Sequence, residues 1–321
     1  MYPRMKRSAI IDVKKLVKRY KKAEKNAVDG ISFEVGEGEF FSLLGPNGAG
    51  KTTTISILTT ILEKTSGTIT IAGFDIDKNS SEIRRNVGII FQKPSLDQNL
   101  TAEENIRFHT VLYGLYGFRP FFSWMPEHYQ KKVKELAHVL GIEKEIFDPI
   151  KTFSGGMKRK LEIIRSLMHS PKVLFLDEPT LGLDPISRKN LWEYLRFIRT
   201  KEPITIFLTT HYLEEAEEAD NLCIINEGKI VSYGTASQIK SDLVQEYLIL
   251  DSPKKAELRE ELAKKKIPFS ENGTFKIRIR TDDISRIIKL IRTPLSVVKT
   301  HNPSLEEAYI EIIEKGERDA A

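Results

Sequence analysis

Short, mainly apolar runs bounded by turn residues recur at 40–44, 87–91, 173–176, 204–208 and 222–225. Runs this short, without polar alternation, predict strands covered on both faces. Between them, 53–62, 157–168 and 187–199 carry helical periodicity. Alternating strands and helices predict an α/β core on a mostly parallel sheet. The alternation breaks over 101–150, where 102–113 and 126–140 read as consecutive helices, so a helical subdomain is expected at about 95–165. Beyond Gly234 the pattern changes again. It predicts a strand at 247–250, a Lys/Glu-rich helix at 253–266, a strand at 274–280, a helix at 282–291, a strand at 295–299 and an amphipathic helix at 304–315. The expected organisation is a large domain over 1–240 and a small α+β domain over 241–321.

Composition narrows the class. The chain has 321 residues, 40% hydrophobic and 30% charged, with a mean hydropathy of −0.30. No apolar run approaches the roughly 18 residues of a spanning helix. Cys223 is the single cysteine, so no internal disulfide forms, and the start lacks the apolar core of a secretory signal. A cytoplasmic protein is expected. Residues 1–25 hold ten Lys or Arg against two acids, a balance of +8, which leaves −3 for the rest of a +5 chain. That distribution argues against a nucleic-acid-coated surface. The basic segment reads as a solvated strand face and tail, or as a neighbour of anionic lipid at about 1 kcal/mol per cation.

Candidate chemistry begins at 45–52, G-P-N-G-A-G-K-T, placed between an apolar run and a helical stretch. Glycines at Gly45, Gly48 and Gly50, with Pro46, Asn47 and Ala49 between them, let backbone N–H groups turn inward around phosphates. The following helix presents its positive end. Lys51 is expected on the β- and γ-phosphates, Thr52 on Mg²⁺ and Thr53 on an α-phosphate oxygen. A buried strand at 173–176 ends in Asp177 and Glu178. Strand alternation would point them opposite ways, with Asp177 in the metal shell and Glu178 polarising a water for in-line attack.

The next motif makes a family resemblance specific. Ser154-Gly155-Gly156, between Phe153 and Met157, stands 24 residues before Glu178 and opens a helical stretch. It resembles the signature of ATP-binding cassette ATPases. Gln92, the Gly182-Leu183-Asp184 turn and His211 follow the same family order, and the resemblance spans roughly 10–235. It implies a P-loop α/β core, an antiparallel β subdomain and a helical subdomain carrying the signature. It implies ATP and Mg²⁺ as ligands, with Tyr20 stacking on adenine, Gln92 completing the metal and water shell, and His211 sensing the γ-phosphate. It also implies a head-to-tail dimer in which each ATP lies between one phosphate loop and the partner copy's Ser154-Gly155-Gly156, with Asp184 in the dimer turn. Alone, Tyr20, Gln92 and His211 would read as ordinary packing or polar residues. Departures are Leu181, where serine is common, and Phe153 and Met157, where leucine and glutamine are common. No catalytic group is missing, so an active ATPase is expected.

Within the family, 209–217 (T-T-H-Y-L-E-E-A-E) and 302–309 (N-P-S-L-E-E-A-Y) resemble export-type subunits for drugs, antibiotics or polysaccharides. Such subunits pair with separate integral membrane permeases at the cytoplasmic face of the membrane. The alternative is a soluble cassette ATPase acting on nucleic acid or ribosomes, but this chain has neither a coiled-coil or zinc insertion nor a second cassette, and no nucleic-acid partner is expected. Residues 113–124 hold six aromatics: Tyr113, Tyr116, Phe118, Phe121, Phe122 and Trp124. They read either as a docking loop for a permease helix or as local packing.

Overall fold

The computed structural model describes residues 8–201, 204–243, 247–279, 284–301 and 304–320. Arg4, Lys6 and Arg7, the Asn302-Pro303 pair and the junction at 280–283 lie outside the described residues. Two compact units divide the chain between Tyr233 and Gly234, whereas the sequence pattern predicts a division between 240 and 241.

In the first unit, a six-stranded sheet runs in the order Lys229–Gly234, Asn221–Asn226, Phe40–Leu44, Thr205–Thr210, Val173–Asp177, Val87–Ile90. Its inner pairs are all parallel. Phe40–Leu44, Val173–Asp177 and Thr205–Thr210 are buried at every position, as expected of largely apolar strands covered on both faces. Period-two alternation splits the side chains between two cores. Phe41, Phe175 and Phe207 meet an antiparallel sheet on one side, Phe41 and Phe207 with ring centroids 5.2 Å apart. Phe40, Leu174, Leu176, Ile206 and Leu208 face helices on the other.

The antiparallel sheet has the order Val28–Gly36, Ala9–Lys18, Ser66–Ile71, Phe74–Asp75. Ala9–Lys18 changes register between Val13 and Leu16, with Lys15 at φ 49°. The bulge returns Leu16 to the buried face after Val13, leaving Lys14 and Lys15 exposed.

The helical subdomain contains Ala102–Leu112, Glu127–Leu140 and Gly155–Leu167. Thr101 and Glu104 form a reciprocal capping box at its entry. Inside, Arg107 donates to both oxygens of Glu103 at 3.1 Å, and the Tyr129 hydroxyl donates to the same carboxylate at 3.0 Å. Arg107 also donates to the carbonyls of Arg119 and Pro120, at 2.7 and 2.6 Å, so a buried ion pair fixes the aromatic loop.

The second unit is a four-stranded antiparallel sheet in the order Phe269–Asn272, Thr274–Arg278, Tyr247–Asp251, Val297–His301. Its core joins Leu248, Leu250, Phe275 and Ile277 to Leu258 and Leu262 of the helix Lys255–Lys264. Helices Ala236–Leu243, Ile284–Leu290 and Leu305–Ala320 complete it.

Candidate active site

Phe40–Leu44 delivers the chain into a loop in which Gly45 and Gly50 have no room for a side chain. A Cβ on Gly45 would lie 2.3 Å from the Ile225 carbonyl oxygen, and one on Gly50 would lie 2.5 Å from that of Ala27. Gly48 and Gly50 adopt φ of 83° and 107°, where side chains are strained. Pro46 and Asn47 cross the outer side of the turn, and Ala49 is buried beneath it. The helix Lys51–Leu58 starts directly after Gly50, two residues earlier than its periodicity predicts. Lys51 lies buried inside the loop, where its Nζ donates to the carbonyls of Gly45 and Pro46 at 2.8 and 3.1 Å. Thr52 is exposed and Thr53 partly so. Tyr20, 45% exposed, places its hydroxyl 3.3 Å from Thr53 Oγ1.

The two acids converge on this loop by a route the sequence pattern does not give. The strand ends at Asp177, and Glu178 turns at φ 45°, its N–H donating to the Thr209 carbonyl at 3.0 Å. Strand alternation therefore stops before Glu178, and both carboxyl groups lie near Lys51 instead of on opposite faces. Glu178 Oε1 lies 3.4 Å from Lys51 Nζ and 3.3 Å from His211 Nδ1. Gln92 Nε2 donates to Glu178 Oε2 at 3.1 Å. Asp177 accepts from the Thr209 hydroxyl. Burial raises its pKa above the ordinary 3.8, while hydrogen bonds from Thr209 and Thr52 oppose the shift. A left-handed glutamate is strained backbone.

A family model described as ABC transporter matches residues 28–181. The chain is 39% identical over 221 residues to the linearmycin resistance ATP-binding protein LnrL of Bacillus subtilis, covering 68% of each chain. It is 38% identical over 265 residues to the Nod factor export ATP-binding protein I of Burkholderia thailandensis, covering 82% of each. The chain belongs to the ABC transporter ATP-binding proteins. Among solved structures, a dimeric bacterial ABC transporter cassette superposes with a TM-score of 0.62 at 25% identity, over 70% of this chain and 98% of that one. The chain is thus the ATP-binding, ATP-hydrolysing subunit of an ABC transporter, on the cassette fold expected from its motifs.

The remaining motifs of this ABC ATPase sit apart from the Lys51–Glu178 cluster. Ser154 caps the helix Gly155–Leu167, its Oγ accepting from Met157 N at 3.2 Å, and Ser154 and Gly155 are exposed. A Cβ on Gly156 would lie 2.6 Å from Ser187 Oγ, so this glycine lets the signature helix abut the start of Pro185–Lys201. Asp184 caps that second helix, accepting from the N–H groups of Ile186 and Ser187 at 3.0 Å and from Ser187 Oγ at 2.6 Å. Those bonds, Ser187 foremost, hold its carboxyl below the usual 3.8. Of the departures, Phe153 is buried in the helical core, Met157 packs against that core, and Leu181 is exposed.

Three site-building residues escape a reading by motif. Glu215, buried, accepts from the hydroxyls of Thr180 and Thr210 and so joins the segment after Glu178 to the strand before His211. Arg159 and Glu162 are buried together beneath Gln92. Spacing is their one signal in the sequence: Glu215 lies four residues after His211, and Arg159 and Glu162 share a helix face at i, i+3.

Proposed function

We infer that the chain drives export of a substrate through a separate integral membrane permease, working as a homodimer at the cytoplasmic face of the membrane. The resistance and export relatives support the direction, and the dimeric cassette supports the assembly. Among the described residues no helix is long and apolar enough to cross a membrane, so the permease is assigned to another chain. Phe118, Phe121 and Trp124 stand 58–59% exposed on the loop held by Arg107, and they are the surface assigned to docking it. Tyr116 and Phe122 instead pack against the helical core.

The observation that carries the catalytic reading is the contact of Glu178 with Lys51, Gln92 and His211, all within 3.4 Å. In this reading the backbone N–H groups of 45–53 and Lys51 bind the triphosphate, and Tyr20 stacks on adenine at about 1–3 kcal/mol. Thr52 and Asp177, a contacting pair of hard oxygen donors, fit Mg²⁺, with Gln92 as the third contributor. When bound, Mg²⁺ neutralises charge on the β- and γ-phosphates. Glu178 orients the attacking water and accepts its proton, His211 holds the Glu178 carboxylate, and Gln92 holds the other oxygen. Ser154, Gly155 and Gly156 of the partner copy present a helix N-terminus to the γ-phosphate. Closure therefore completes each site, and cleavage of the γ-phosphate weakens the contact.

Hydrolysis of Mg²⁺-ATP measured with sedimentation tests this. Wild type should turn over, and Glu178→Gln should bind ATP, lose turnover and remain a dimer. Equal turnover in both proteins would sink the assignment of Glu178.

A further inference from the structure

Arg159 lies one turn into the signature helix and is 4% exposed. Its guanidinium makes contacts that no other side chain could combine. Nε donates to the carbonyl of Pro179, the residue after Glu178, at 2.8 Å. One terminal nitrogen donates to the Phe91 carbonyl at 2.5 Å and to Glu162 Oε2 at 3.0 Å, and the other donates to the Gln92 carbonyl at 3.3 Å. Glu162 in turn accepts from Ser95 N at 3.0 Å, and Arg165 donates to the Ser95 carbonyl at 2.7 Å. Residues 159, 162 and 165 lie on one face of the helix.

The segment they hold has left the sheet, since the strand ends at Ile90, and Phe91 to Ser95 are exposed. Its backbone is gripped from beneath by the signature helix. The same guanidinium grips the backbone next to Glu178. Gln92 and Glu178 meet through their side chains at 3.1 Å, and Arg159 sets the main chain on both sides of that contact. A helix moves as a rigid rod, so a displacement at Ser154-Gly155 is transmitted to Arg159 within the same rod. The planar fork then shifts Gln92 and Glu178 relative to the phosphates.

We propose that Arg159 is a positioning residue that couples the signature helix to the Gln92–Glu178 contact of its own chain. Occupancy of the partner's ATP at Ser154 then sets the water-orienting geometry here, and the two sites fire cooperatively. The coupling rests on the dimer reading above. It is a link between two ATP sites, read as a change in how ATP at one site affects turnover at the other.

Three proteins test it: wild type, Arg159→Lys, and the double variant Arg159→Met/Glu162→Leu, which replaces the buried pair by apolar groups of similar volume and leaves Arg165, 4.0 Å from Glu162 in the wild type, its bonds to Ser95. ATP affinity, melting temperature and the ATP dependence of turnover are measured on the full chain. Wild type should show a Hill coefficient above unity. Both variants should bind ATP as wild type does, lose turnover by about 100-fold through misplacement of the reacting groups, and fall to a Hill coefficient of unity. The double variant should keep the wild-type melting temperature, and lysine, lacking the fork, should not rescue. Wild-type cooperativity in the double variant, or turnover that falls only in step with melting temperature, overturns the proposal. Failure of Glu178→Gln, with Arg159 intact, to dimerise with ATP would remove the dimer reading and the coupling with it, an outcome separable from the first two.

Discussion

Lys51 Nζ stands 3.4 Å from Glu178 Oε1, with both side chains more than nine-tenths shielded from solvent. The cation thus has three oxygen partners, the carbonyls of Gly45 and Pro46 and this carboxylate. A buried carboxylate deprived of its cation is costly, yet here Gln92 and His211 also touch Glu178. Lys51→Met should therefore fold, while losing the charge-assisted bond to phosphate, worth roughly 1.5–3 kcal/mol. Titration with ATP should show affinity weakened by one to two orders of magnitude, on the order expected from that energy. Unchanged affinity would mean that Lys51 serves the loop rather than the nucleotide.

The loop glycines separate two costs. Gly48 has φ 83° and open space where a side-chain carbon would sit, whereas Gly50 has φ 107° and the Ala27 carbonyl oxygen 2.5 Å from that position. Gly48→Ala should cost only the left-handed penalty, about 1–2 kcal/mol, and keep nucleotide binding. Gly50→Ala must displace the backbone and should abolish binding as well as lower stability further. Denaturant unfolding with ATP titration checks the order, and equal effects at the two positions would contradict it.

Glu215 gives a pH dependence with a defined sign. Burial raises its pKa above the ordinary 4.5, against hydrogen bonds from Thr180 and Thr210 and the charges of Arg188 and His211. The folded state then holds the proton to higher pH than the unfolded state does. This contribution is full below 4.5 and is lost as pH rises through the raised folded value. Glutamine in its place can accept from one hydroxyl and donate to the other without carrying charge. Glu215→Gln should match wild type in melting temperature in acid, exceed it near about pH 7, and flatten the slope between. A variant less stable than wild type at neutral pH would show that the charged form is favoured.

Legibility in the sequence follows from what each element must satisfy. Phe40–Leu44 is a strand residue for residue because burial on both faces leaves an apolar run broken only by the small Ser42. Ala9–Lys18 carries no such mark, since the bulge at Lys15 breaks its alternation and exposes consecutive lysines; only the family resemblance implies its sheet. Phe269–Asn272 escapes the pattern because Ser270, Glu271 and Asn272 are polar and the strand lies at the sheet edge. The phosphate loop is readable because chemistry restricts its residue types. Arg159 is not, because Lys158 and Lys160 flank it in sequence and only the helix turn separates the buried cation from its neighbours.

The aromatic loop yields the most direct test of the permease partner. Phe121 and Trp124 meet edge to face at 5.0 Å, and Phe118 stacks on Phe108 at 5.8 Å, yet Phe118, Phe121 and Trp124 remain more than half exposed. Removing the Phe121–Trp124 pair forfeits one aromatic contact, about 0.5–1.5 kcal/mol, and no core burial. The loop path survives because Arg107 holds the carbonyls of Arg119 and Pro120. Phe121→Ala with Trp124→Ala should therefore leave ATP hydrolysis of the isolated chain at the wild-type level while reducing co-purification with the permease and coupled transport. Tyr129→Ala is the contrast, since it empties a fully buried site and frees Glu103, and it should cost about 3–5 kcal/mol of stability. If the surface pair is replaced and both co-purification and transport persist, the loop is not the docking surface.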